Sequence, residues 1–191
     1  RCEHIAEFYL LMLSTLLGMF FMISSGNLLI FYLALELSSI PLAALCNFGL
    51  AERKSGEAAM KMIMSSAFSS CIMLMGISFL YGASGTLSFD ALTIVVQETP
   101  LYIMGFVLLF VGVAFKLSVV PFHLWTADVY EGSPIPVTAF LSVISKGAMI
   151  IVFTFLLYHV FGSLSHTWYL LLYILSIVTM ITGNIFAIRQ E

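Results

Sequence analysis

LYIMGFVLLFVGVAFKLSVV (101–120) is an apolar run long enough to cross a bilayer, and it carries a lysine, Lys116, near its end. A span needs about 20 predominantly apolar residues. Two further apolar runs hold an ionisable group, Glu36 in one and Lys146 in the other. Such a group costs roughly 2.5–3.5 kcal/mol at a helix centre on insertion scales. Three of them in three separate helices point to a chain that holds or passes charge within the membrane.

Working outward, the whole chain has the composition of an integral membrane protein. Of its 191 residues, 61% are hydrophobic and 9% charged, against about 45–50% and 25% in soluble domains. Six spans are predicted, at about 5–23, 27–48, 57–80, 101–120, 135–160 and 168–188. They make one all-α membrane domain over 1–191. PFHLWTADVYEGSPIP (121–136) is too polar to span. Its Trp125 and Tyr130 suit a membrane interface, and Pro134 and Pro136 suit the opening of the fifth helix. The chain starts at Arg1 and RCEHIAE does not open a signal peptide, so a segment of a longer protein is expected.

The basic residues test this layout. The N-terminus and the loops 49–56, 121–134 and 189–191 fall on one side and hold Arg1, Arg53, Lys54 and Arg189. The loops on the other side hold no Lys or Arg. The positive-inside rule then assigns the first side to the cytoplasm, matrix or stroma.

Glu36 lies about 14 Å into the second helix and Lys146 about 15 Å beyond Pro136, both near the bilayer middle. Glu57 and Lys61 open the third helix at a spacing of four, which lets them pair. Pro41 follows Glu36 by five residues and Pro121 follows Lys116 by five. Each proline removes a donor to the carbonyl four residues back, here Leu37 and Leu117. Helices interrupted beside ionisable groups are a usual construction of ion-translocation sites. Burial favours the neutral form of either an amine or a carboxyl, and a nearby opposite charge favours the charged form. Glu36 and Lys116 together could therefore store a proton and release it when their separation changes.

Plainer readings stand beside these. Lys61 and Lys116 could snorkel to an interface, Lys146 could sit in a structural ion pair, and Glu36 could be a fixed counter-charge. His123 fits a hydrogen-bonded structural histidine as well as a proton relay. Cys2, Cys46 and Cys71 lack CxxC spacing and read as packing residues. The four histidines form no metal-ligand motif, no Gly-rich phosphate loop follows a strand, and no basic patch fits nucleic acid. No cofactor or metal is expected in this chain.

GVAFKLSVVPFHLWTADVYEGSPIPVTAFLSVISK (112–146) resembles the antiporter-like membrane subunits of respiratory complex I, and within them the subunit N (NADH dehydrogenase subunit 2) type. LALELSSIPLAAL (33–45) is similar to that family's fifth helix, and EAAMKMIMSSAFSS (57–70) to its sixth. The resemblance implies most of one antiporter-like half-repeat with one interrupted helix. It implies that Glu36, Lys116 and Lys146 translocate protons, with Lys61 as the sixth-helix lysine. The implied activity is proton pumping coupled to quinone reduction, in partnership with other membrane-arm subunits that carry the NADH, flavin, iron–sulfur and quinone sites. The implied location is a bacterial inner membrane, or an organelle inner or thylakoid membrane. Ala127 departs from the proline common in the family. A multi-subunit cation/proton antiporter or hydrogenase membrane subunit shares these features. A membrane scaffold whose charges only lock helices is the alternative from another class.

Overall fold

The computed structural model describes residues 4–49, 53–94 and 99–189. Among these the protein is helical, and its one β feature is an isolated bridge between Asn27 and Ser88. Six helical stretches are long and apolar enough to cross a membrane, which makes this a multi-pass integral membrane protein. They begin with α1 (Ile5–Ile23), α2 (Leu28–Cys46) and α3 (Arg53–Ser84). A short α4 (Phe89–Ile94) precedes α5 (Pro100–Leu117) and α6 (Leu124–Gly132). The fifth span, Ile135–Val160, comprises α7 (Ile135–Phe140), a π turn (Leu141–Ser145), α8 (Lys146–Phe155) and a second π turn (Leu156–Val160). The sixth, α9 (Ser165–Arg189), lies at the margin and is mostly exposed beyond Trp168.

Helix α3 is the axis of the bundle. At 1.5 Å per residue its 32 residues reach about 48 Å. That exceeds the ~30 Å hydrocarbon core. Both α5 and α6 pack along it, one after the other. The α3–α5 approach depends on small residues, as is common between membrane helices. A Cβ added to Gly105 would lie 2.8 Å from the Leu80 backbone nitrogen, and one on Gly76 would lie 2.6 Å from that of Leu109. Ser69 Oγ adds a hydrogen bond across this seam to the Gly112 carbonyl, at 3.0 Å.

The stretch 121–136, too polar to span, contains helix α6. Its acidic residues Asp128 and Glu131 pair with lysines of the first turns of α3, which holds the segment against that helix. Lys54 Nζ reaches Glu131 Oε1 at 2.7 Å, and Lys61 Nζ reaches Asp128 Oδ2 at 2.6 Å. Gly132 lets the two backbones meet, since a Cβ there would stand 2.6 Å from the Lys54 carbonyl oxygen. Trp125 and Tyr130 are both half-buried. The Trp125 indole N–H donates to the Phe115 carbonyl at 3.2 Å, and its ring stacks on Phe115.

The two prolines behave differently. Helix α2 runs on through Pro41, so Pro41 is not a helix breaker here. In a helix packed on both neighbours, one missing N–H does not outweigh the remaining backbone bonds. By contrast α5 ends at Leu117, where Ser118 takes a left-handed conformation (φ 61°) and the Val120–Pro121 peptide is cis. Ser118 N–H donates to the Phe115 carbonyl and Val119 N–H to that of Ala114, the crossed pair that closes a helix end. The interruption therefore falls two residues after Lys116.

Candidate functional site

Lys116 is the basic residue of α5 and lies in its last turn, next to the final residue Leu117. Its ammonium donates to Ser66 Oγ on α3 at 2.6 Å. Four residues on, and so on the same face of α3, the Ser70 hydroxyl donates to Glu36 Oε1. Ser39 Oγ lies 3.5 Å from Glu36 Oε2 and 3.3 Å from the Glu36 carbonyl. Thus Glu36 and Lys116 are both tied to α3 through hydroxyls. No salt bridge within 4 Å joins them among the described residues.

A cavity of about 40 Å³ lies beside this chain of groups. Its mostly apolar wall includes Lys116, Lys146 and the serines Ser38, Ser39, Ser65, Ser66 and Ser145. Ser39 both contacts Glu36 and lines the cavity. At about 10–15 Å³ per water, the space suits roughly three or four water molecules. The cavity brings together two helix interruptions. One is the end of α5 at Ser118, and the other is the π turn Leu141–Ser145 that delivers Lys146. π turns inside α-helices often occur at functional sites.

Lys146 is half-buried, and its Nζ sits 5.3 Å from the centre of the Tyr130 ring. Burial pushes the Tyr130 phenol up from its ordinary value, so it stays neutral. Lys61 and Glu57 pair as their spacing predicts, at 2.7 Å, but Lys61 also takes Asp128 from α6. Both residues are exposed, and neither lines the cavity. His123 points away as well. Its ring lies 5.5 Å from Phe186 of α9, and its two buried nitrogens have no hydrogen-bond partner among the described residues. Cys46 is buried beside Met62, in keeping with packing, whereas Cys71 is exposed. Cys2 and Glu98 fall outside the described residues.

Lys116 and Lys146 thus share one small cavity, and Glu36, which does not line it, is linked to its wall through Ser39. Ser66 and Ser70, which tie Lys116 and Glu36 to α3, did not stand out in the sequence. Their signal is the doubled Ser-Ser at a spacing of four in MSSAFSS (64–70), which lays hydroxyls down one helix face.

Residues 25–191 match the family described as NADH:quinone oxidoreductase/Mrp antiporter, transmembrane. The chain belongs to that family. It is 51% identical over 185 residues to NADH-quinone oxidoreductase subunit N of Azobacteroides pseudotrichonymphae, covering 97% of this chain and 38% of that protein. It is 50% identical to the subunit N of Phocaeicola vulgatus, covering 97% of this chain and 39% of that one. The chain thus spans under half the length of these relatives. Among solved structures, it superposes with a TM-score of 0.80 at 36% identity on a chain of respiratory complex I from Thermus thermophilus, covering 97% of this chain and 40% of that one. A chain of an archaeal membrane-bound sulfane sulfur reductase gives 0.83 at 28% identity, over 95% of this chain and 38% of that one. A chain of the Mrp complex from Dietzia gives 0.66 at 25% identity, over 75% and 28%.

Proposed function

We propose that this chain is the proton-transferring part of a membrane-arm subunit of the subunit N type in an NADH-quinone oxidoreductase. The carrying observation is the small cavity that Lys116 and Lys146 share, with Glu36 connected to it through Ser39. Glu36 and Lys116 are near enough to influence one another and are not locked together. A proton can pass between Lys116 and Lys146 by way of water in the cavity and the serine hydroxyls. The missing direct ion pair matters, because a tight carboxylate–ammonium contact would hold the proton on the lysine.

The high identity to proteins named subunit N, over nearly all of this chain, supports the quinone-linked reading above a sodium–proton antiporter of the same fold. In this assignment the NADH, flavin, iron–sulfur and quinone sites belong to other subunits. The chain lies in a bacterial inner membrane, and the end of the bundle with Arg53 and Lys54 faces the cytoplasm. The test is proton pumping by the whole complex carrying Lys116→Ala, reconstituted in vesicles after assembly has been verified. Loss of the pH gradient is expected. Full pumping by the assembled variant would overturn the assignment.

A further inference from the structure

The lysines in this bundle are held in different ways. Lys54 and Lys61 meet carboxylates, and Lys116 meets a serine hydroxyl. Lys146 has no carboxylate within 4 Å and no side-chain hydrogen bond among the described residues. What faces it is the ring of Tyr130 at 5.3 Å, inside the ~6 Å range over which an aromatic face attracts a cation.

Tyr130 is itself well fixed. Its neighbours Asp128 and Glu131 are tied to α3 by Lys61 and Lys54, and Val129 is fully buried. Thr138 Oγ1 of α7 lies 3.4 Å from the Tyr130 carbonyl. The phenol oxygen is buried with no hydrogen-bond partner among the described residues. This residue therefore presents, from a well-held backbone, a ring whose hydroxyl makes no hydrogen bond among the described residues.

We infer that Tyr130 is a positioning residue for proton transfer, its ring face cradling the Lys146 ammonium at the wall of the shared cavity. The inference rests on the role proposed above for Lys146. An aromatic face suits a relay lysine for a physical reason. It stabilises the ammonium without supplying a base that could take the proton, and it binds more weakly than a carboxylate at contact. Lys146 can then gain a proton, hold it and pass it on.

The test uses the whole complex reconstituted in vesicles, with assembly verified for each variant and pumping read as the initial rate of pH-gradient formation per complex. Tyr130→Phe keeps the ring and drops only the unpartnered hydroxyl, so pumping should persist. Phenylalanines bearing progressively more ring fluorines at position 130 keep the shape and weaken the face, so pumping should fall stepwise. The full range should be roughly two- to thirtyfold. A structural role would not follow the fluorine series. A flat series, or loss of pumping in Tyr130→Phe, would overturn the inference. Lys146→Ala separates the two levels. If it pumps normally, the proposed role of Lys146 falls, and this inference with it. If it is inactive while the fluorine series is flat, only the Tyr130 inference falls.

Discussion

Two groups of charges sit along α3, built from the same residue types and arranged in opposite ways. At the start of the helix, Lys54, Glu57, Lys61, Asp128 and Glu131 touch directly at 2.6–2.7 Å. Further along, Glu36 and Lys116 reach α3 through Ser70 and Ser66 and do not pair. The first group is exposed and pairs each lysine with at least one carboxylate, which fastens α6 to α3. The second is partly buried, and each of its charges meets serine hydroxyls instead of the other charge. Contact between a lysine and a carboxylate therefore marks the fastener here, and separation by hydroxyls marks the site proposed for proton transfer.

The largest expected effect comes from the inner group. Glu36→Gln keeps an acceptor for the Ser70 hydroxyl and removes the ionisable oxygen, so assembly should survive. Pumping by the assembled complex should drop about a hundredfold, the scale of losing one proton-transferring group. Near-normal pumping would mean that Glu36 is a fixed acceptor only. Next, Ser66→Ala takes away the partner of the Lys116 ammonium. A hydrogen bond to a charged group is worth about 1.5–3 kcal/mol, so a fall in pumping rate of about tenfold or more is expected. Ser66→Thr, which restores a hydroxyl, should recover most of it.

The outer group should respond differently. Asp128→Asn should leave most of the pumping and loosen the α3–α6 contact. That loosening would appear as earlier thermal disassembly and faster proteolysis near residues 118–134. The smallest effect belongs to Lys54→Gln, whose pair with Glu131 is the most exposed of the cluster. Exposed pairs contribute little and are screened by salt. Any change in disassembly temperature should therefore vanish at high ionic strength.

Much of this arrangement was legible before the structure, because lipid enforces simple rules. Apolar length marks the spans, and the expense of charge in hydrocarbon singles out Glu36, Lys116 and Lys146. What stayed hidden depends on contacts between helices. Pro41 reads as a breaker by local chemistry, yet packing on both sides carries α2 through it. The polarity of 121–136 rules out a span but does not show that its Asp128 and Glu131 find lysines more than sixty residues away on α3. Serines are common packing residues in membrane helices. Only the positions of Lys116 and Glu36 distinguish Ser66 and Ser70 from Ser69, which serves the α3–α5 seam.

The most direct test exchanges charges within each group. One whole complex would carry Lys61→Asp with Asp128→Lys, and the other Glu36→Lys with Lys116→Glu, each verified for assembly before proton pumping is measured in vesicles. The outer exchange restores an ion pair and should pump, while the inner exchange should assemble and fail to pump. Equal pumping by both would contradict the account and leave the inner charges as fasteners too.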